Sequence, residues 1–163
     1  MPCNMALLAG HCTARTSVAG YENRKLTPDE EKRMLGQLEN ALKDGAAGLS
    51  LGLMYEPGVY ADVTELRKVA ELCAKYDKPL TIHPRAESKV SMSFPGLFGR
   101  SHLLRAVDEI VEMTKDLKVK VQYSHAIFVG RRSFGAKEEL LMILADLRAK
   151  GIDARFDIYN ETK

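Results

Sequence analysis

The chain lacks a CxxC pair, an excess of either charge and any low-complexity tract, and its apolar runs stop at about six residues. Each absence excludes something. Cys3, Cys12 and Cys73 are an odd set with no metal-clip or disulfide spacing, which fits the reducing cytoplasm. The short apolar runs exclude a bilayer span and the core of a signal peptide. A net charge of +2 produces no strong field, so neither nucleic acid nor a membrane surface is an expected partner. With no Pro/Ser-rich linker, residues 1–163 read as a single α/β domain. At 45% hydrophobic and 28% charged residues, the composition is that of a globular chain with enough apolar material for a core.

What is present is an alternation of short apolar runs with amphipathic segments. Met5–Ala9 reads as a strand closed by Gly10, followed by a loop through Arg24. Thr27-Pro28-Asp29-Glu30 carries an N-cap, a first-turn proline and a capping-box glutamate. Met34, Leu35, Leu38, Ala41 and Leu42 then share one helical face, and Gly45 ends the helix. Ala46–Leu51 is a second strand. Asp62 with Glu65 resembles another capping box, and Leu66, Val69, Ala70 and Cys73 form the apolar stripe behind it. Pro79–Ile82 is a third strand and Val119–Tyr123 a fourth. Between them Ser101 caps a helix with Leu103, Leu104, Val107, Ile110 and Val111 inward. The last helix, Ala136–Lys150, buries Leu140, Leu141, Leu144 and Leu147, and Ile152–Ile158 is a fifth strand.

Strands alternating with helices predict repeated βα units on a parallel sheet. Two architectures fit: an open doubly wound sheet, favoured by the length, or part of a (β/α)₈ barrel, which needs about 250 residues when complete. In both, chemistry belongs at the C-terminal strand ends. Those positions hold His11, Ser50–Tyr55, His83 with Arg85, His125, and Asp157 with Tyr159. Two imidazoles on neighbouring strand ends, with a carboxylate near them, are zinc-ligand types in the place where a metal would sit. The competing reading gives each histidine an ordinary structural hydrogen bond.

The other groups read more plainly. His102 lies in the first turn of a helix, where a solvated surface role is expected. Cys12 reads as a buried thiol and Cys73 as core. Arg131 and Arg132 are solvated charges. Gly48–Gly52 lacks the lysine and glycine spacing of a phosphate loop. The segment Ala86–Arg100 carries Met92, Phe94, Pro95, Leu97 and Phe98 among glycines, so it is either a lid or a packed loop.

Several stretches together resemble the N-acyl-D-amino-acid deacylases (D-aminoacylases) of the metal-dependent amidohydrolase superfamily. Gly10-His11-Cys12-Thr13-Ala14-Arg15 is similar to the family's GHxxxR, and Asp44 through Tyr55 to its GAxGLSTGLxY segment. Thr81-Ile82-His83-Pro84-Arg85 resembles THxR, Gln122-Tyr123-Ser124-His125 the next histidine-bearing strand end, and Gly151 through Tyr159 the GLDVTADxYPY strand. Their order and intervals agree over nearly the whole chain. The resemblance implies a partial (β/α)₈ TIM barrel, about strands 3 to 7. It also implies zinc held by His83 and His125, with Arg85 and Tyr159 at the substrate end holding the carboxylate or polarising the acyl group. The implied reaction is hydrolysis of an N-acyl amino acid by a zinc-bound hydroxide.

The departures bear on activity. The family's first-strand HxH, its bridging cysteine and its late general-base aspartate have no counterpart in this sequence, and Ile127 stands where the family has lysine. No residue of the segment is therefore assigned as the catalytic group. A chain with two of the usual ligands is expected to be an incomplete, inactive part of a larger barrel, self-associating through open sheet edges. The alternatives are a non-catalytic, flavodoxin-like α/β binding module and a dihydroorotase-like cyclic amidase.

Overall fold

The computed structural model describes residues 3–96 and 98–159. Five strands, β1 (Leu8–Gly10), β2 (Gly48–Gly52), β3 (Pro79–His83), β4 (Lys120–Tyr123) and β5 (Asp153–Phe156), form one sheet in the order β1-β2-β3-β4-β5. Every neighbouring pair is parallel. The helices are α1 (His11–Ala19), α2 (Pro28–Lys43), α3 (Val63–Lys75), α4 (His102–Thr114) and α5 (Lys137–Ala149), with short 3₁₀ turns at Gly58–Tyr60 and Arg131–Ala136. No described helix is long and apolar enough to cross a membrane.

The unbroken strand order decides between the two architectures. A doubly wound sheet must reverse its strand order at a switch point, and this sheet does not. Right-handed crossovers that always advance in one direction put every helix on the same face, which is barrel geometry. The open doubly wound alternative is thereby corrected. Burial follows the same rule. Leu49, Leu51, Leu80, Ile82, Val121, Tyr123 and Ala154 point into the core shared with the helices. Alternate positions (Ser50, Thr81, His83, Lys120, Gln122, Asp153) are only partly covered and mostly polar. This second face is the one a closed barrel turns inward. Gly48 lets β2 lie close to β3, because a Cβ there would collide with the Pro79 carbonyl.

The helix starts follow the sequence closely at α2. Thr27 Oγ1 accepts from the Glu30 N–H at 3.3 Å, and Glu30 Oε2 accepts from the Thr27 N–H at 2.8 Å. A cap of this kind contributes about 1 kcal/mol. Met34, Leu38 and Leu42 bury against the core, and Gly45 at φ 104° closes the turn.

Other starts differ from expectation. Asp62 caps α3 by accepting from the Glu65 N–H at 2.9 Å, but the Glu65 side chain turns inward, so there is no reciprocal box. Ser101 makes no side-chain cap bond to α4. Leu141 is 39% exposed, while Leu140, Leu144 and Leu147 are buried, so α5 presents a narrower stripe than predicted.

The largest difference is α1, which occupies much of the stretch expected to be a loop. Its sequence gives no cue: Gly10 supplies no capping side chain, Thr13, Thr16 and Val18 are weak helix formers, and the buried residues are His11, Ala14 and Arg15. A helix that buries a histidine and an arginine has no apolar stripe to detect. Cys73 is fully buried, as expected, and burial pushes its thiol pKa up to about 12.

Candidate metal centre

Parallel pairing puts the ends of β2, β3, β4 and β5 side by side, and backbone bonds hold the connections that follow them. Gly52 is in register with His83. Beyond the strands the ladder continues: Leu53 N–H donates to His83 O at 3.1 Å, Ser124 N–H to Ile82 O at 2.8 Å, and Asp157 N–H to Tyr123 O at 3.2 Å. The positions that follow β2, β4 and β5 are therefore fixed against the neighbouring strands before any side chain acts.

On this edge the His83 and His125 rings stand edge to face with centroids 5.5 Å apart. The expectation that two strand-end imidazoles meet is realised. His83 has a depressed pKa, first because burial disfavours its charged form and second because of the nearby His125 charge, so it is kept as the neutral ring a metal requires. The Tyr55 phenol and His83 Nε2 share a hydrogen bond at 2.6 Å.

His125 sits in the left-handed region at φ 62°, a strained conformation for a residue with a Cβ. Asp157 holds it there. Its Oδ1 accepts from the His125 N–H at 2.8 Å and lies 3.2 Å from His125 Nδ1, and its Oδ2 accepts from Gln122 Nε2 at 2.8 Å. Burial works to raise the Asp157 pKa, but these bonds and the His125 charge outweigh it, leaving the carboxyl below its ordinary value. Tyr159 lies over the other side of His125, ring centroids 4.7 Å apart, with much of its surface open to solvent.

Glu87, which the sequence reading did not single out, lies at the same centre. It is buried, and its Oε1 is 3.4 Å from His83 Nδ1. Burial pushes its carboxyl pKa up, with the His125 charge opposing. Its signal in the sequence was its place four residues after His83.

Arg85 is buried. It is 5% exposed, and all three guanidinium nitrogens are engaged: Nε and Nη2 donate to Glu109, Nη1 to Val59 O at 2.6 Å, and Nη2 also to Ala61 O at 2.8 Å. A fork so fully paired within the fold ties the segment after β3 to α4 and to the Gly58–Tyr60 turn with Ala61 after it.

His11 is likewise internal. Its ring is fully buried, with Nε2 2.7 Å from Glu65 Oε1, and Arg15 Nε donates to the same oxygen at 3.0 Å. Burial pulls its pKa down, but the bonds to Cys12 and Glu65 more than reverse this. The half-buried Cys12 thiol donates to Gly52 O at 3.5 Å.

His102 corrects its surface reading. It is 2% exposed, its Nδ1 accepts from the Ser91 N–H at 2.8 Å, and Phe94 packs on its edge at 5.6 Å. The 86–100 segment is thus pinned to the start of α4. Its Met92 and Phe98 are exposed, and Leu97 lies outside the described residues.

His83 and His125 are both partly buried imidazoles, a residue type that can ligate zinc. His83 Nδ1 and His125 Nδ1 are both buried without a hydrogen-bond partner. Among the described residues no group of three His, Cys, Asp or Glu side chains converges in a way that could hold a metal.

No family model matches the chain. A D-aminoacylase of Alcaligenes xylosoxydans xylosoxydans is 28% identical over 156 residues, covering 96% of this chain and 30% of its own length. An N-acyl-D-glutamate deacylase from Bordetella bronchiseptica, solved with zinc and a phosphonate mimic of the tetrahedral intermediate, superposes with a TM-score of 0.84 at 26% identity, covering 97% of this chain and 31% of that one. A solved D-aminoacylase, described as defining a novel subset of amidohydrolases, gives a TM-score of 0.83 at 28% identity, again covering 97% and 31%. The chain is therefore similar almost end to end to a segment of these deacylases, and it spans 30% of the length of the curated D-aminoacylase. Its parallel sheet superposes on part of an amidohydrolase barrel, in agreement with the strand order.

Proposed function

We propose that this chain forms an arc of the active centre of a zinc-dependent N-acyl-D-amino-acid deacylase, an enzyme hydrolysing the amide of N-acyl amino acids. The observation that carries the reading is the His83–His125 pair, 5.5 Å apart on adjacent strand ends, in a chain similar to a segment of such enzymes. His83 and His125 are the residues that would hold the ion. Zinc supplies a Lewis acid and a hydroxide at neutral pH. The protein's own part is positional. Asp157 fixes the backbone and ring of His125, Tyr55 occupies Nε2 of His83 when no ion is held, and Tyr159 presents an exposed phenol beside His125 for the substrate. Arg85 secures the frame beneath His83 through Glu109.

A catalytic zinc takes three protein ligands, so the two found here bind it weakly and residues 1–163 alone do not turn substrate over. The free thiols Cys3, Cys12 and Cys73 support a cytoplasmic setting. The test is zinc titration by calorimetry on the purified chain, with deacylation of N-acyl-D-amino acids assayed in parallel. The reading expects weak zinc binding that His83→Ala and His125→Ala each abolish. Zinc binding unchanged in both variants sinks it.

A second reading, a non-catalytic α/β module, is favoured by one observation: no third donor joins the two histidines among the described residues. Complete indifference to zinc in the wild-type chain supports that reading.

A further inference from the structure

Cys12 is half-buried at the second position of α1, directly after β1, and three features converge on its thiol. The first is the helix end. Gly10 supplies no side-chain cap, which leaves the first-turn N–H groups of α1 to set a positive field at the sulfur. The second is main chain. Sγ lies 3.5 Å from Gly52 O, and a Cβ on Gly58 would stand 2.8 Å from it, so the connection after β2 presses backbone against the thiol. The third is His11.

His11 is fully buried, and its two nitrogens differ. Nε2 stands 2.7 Å from Glu65 Oε1, and Arg15 Nε donates to the same oxygen at 3.0 Å. An oxygen that already accepts from arginine is an acceptor for the ring as well, so Nε2 carries a proton. Nδ1 is buried without a hydrogen-bond partner. It is the nitrogen left to gain or lose a proton, and the neighbouring ionisable side chain is Cys12. Thiol, imidazole and carboxylate thus follow one another as nucleophile, base and orienting group, with α3 supplying the carboxylate 54 residues from His11. Burial works to raise the Cys12 pKa, but His11 and the main chain of Gly52 and Gly58 outweigh it, leaving the thiol below its ordinary value. The other ionisable groups around it are committed elsewhere: Tyr55 to His83, Glu56 to Tyr60, and Arg15 to Glu65, while α2 meets α1 through the neutral Gln37.

We infer that Cys12 is a nucleophilic thiol, activated by His11 and Glu65, and the site at which this chain is modified by small electrophiles of the hydroperoxide class. The thiol proton passes to Nδ1 of His11, and sulfur attacks one peroxide oxygen. The S–O bond forms as the O–O bond breaks. Sulfur is oxidised to the sulfenic acid and the peroxide is reduced, its leaving oxygen taking the proton from His11 to depart as water or an alcohol. The step draws on no metal and is independent of the zinc reading.

Site-resolved mass spectrometry of the folded chain tests the assignment. With iodoacetamide, the alkylation rate of Cys12 plotted against pH is expected to have its midpoint below about 8.5, the value of an ordinary thiol. The fully buried Cys73 stays unlabelled and reports that the chain is folded. His11→Gln is expected to slow alkylation of Cys12 roughly tenfold near neutral pH, as a thiol pKa higher by about one would do. Brief hydrogen peroxide followed by dimedone is expected to leave the sulfenic adduct on Cys12, and Cys12→Ser removes it. A Cys12 midpoint at or above that of an ordinary thiol, or a rate unchanged in His11→Gln, overturns the inference. Should His11→Gln not fold, the wild-type midpoint and the dimedone adduct decide, and no adduct on Cys12 overturns it.

Discussion

The phenol of Tyr55 is hydrogen-bonded to Nε2 of His83 at 2.6 Å, so one of the two ring nitrogens of that histidine is already occupied by a residue of the connection that follows β2. A zinc ion must displace that bond. A neutral hydrogen bond of this kind contributes about 1 kcal/mol, equivalent to about fivefold in an equilibrium. Tyr55→Phe is therefore expected to tighten zinc binding about fivefold in calorimetric titration. Weaker binding in Tyr55→Phe would show that the phenol assists the ion.

Arg85 is buried and its partner Glu109 is largely covered, so removing the arginine leaves a carboxylate with little compensation. Arg85→Met is expected to lower stability by about 3–5 kcal/mol in urea unfolding. Arg85→Met with Glu109→Leu together is expected to recover part of the loss. A fully stable Arg85→Met protein that binds substrate poorly would return Arg85 to the substrate role its motif suggests.

The acid limb of stability should report Glu39. Lys75 and Tyr76 bond its carboxylate, and Lys43 adds an attractive charge, which together lower its pKa from 4.5 to about 2. A depressed carboxylate pKa adds stability above pH 4.5 that is lost as pH falls through about 2, because the unfolded chain takes up the proton first. Glu39→Gln is expected to flatten the stability–pH curve between those limits in thermal scans at stepped pH. An unchanged slope rejects the assignment.

Among the described residues the outer strands β1 and β5 each pair on one side only, and Leu8, Phe156 and Ile158 near those edges are exposed. Unpaired parallel edges with apolar neighbours invite association. Size-exclusion chromatography with light scattering should give a mass that rises with concentration. A single 18.1 kDa species at high concentration contradicts this.

How much of this was legible beforehand differs from element to element. The α2 start could be read letter by letter, because Thr27, Pro28 and Glu30 act locally on the first turn. His83 and His125 could be placed at strand ends because an apolar run has to stop somewhere, and the residue type there is explicit. The helix α1 could not be read, since it buries His11 and Arg15 against Glu65 from α3, a partner 50 and more residues away. The burial of His102 was hidden by a shorter excursion, since its acceptor role depends on Ser91, 11 residues earlier, folding back over it.

By itself the sequence determined the βα alternation, most helix faces, the strand-end histidines and the lineage they resemble, because periodicity and capping act within a few residues. Only the tertiary structure decided the rest. Strand order settled barrel arc over doubly wound sheet. Long-range bonds to Glu109, Val59 and Ala61 made Arg85 a buried tie, and the approach of the strand connections brought Tyr55, Glu87 and Asp157 to the two imidazoles. The physical reason is shared: a side chain's partner is set by which segments the sheet brings together, and the local sequence around it does not encode that meeting.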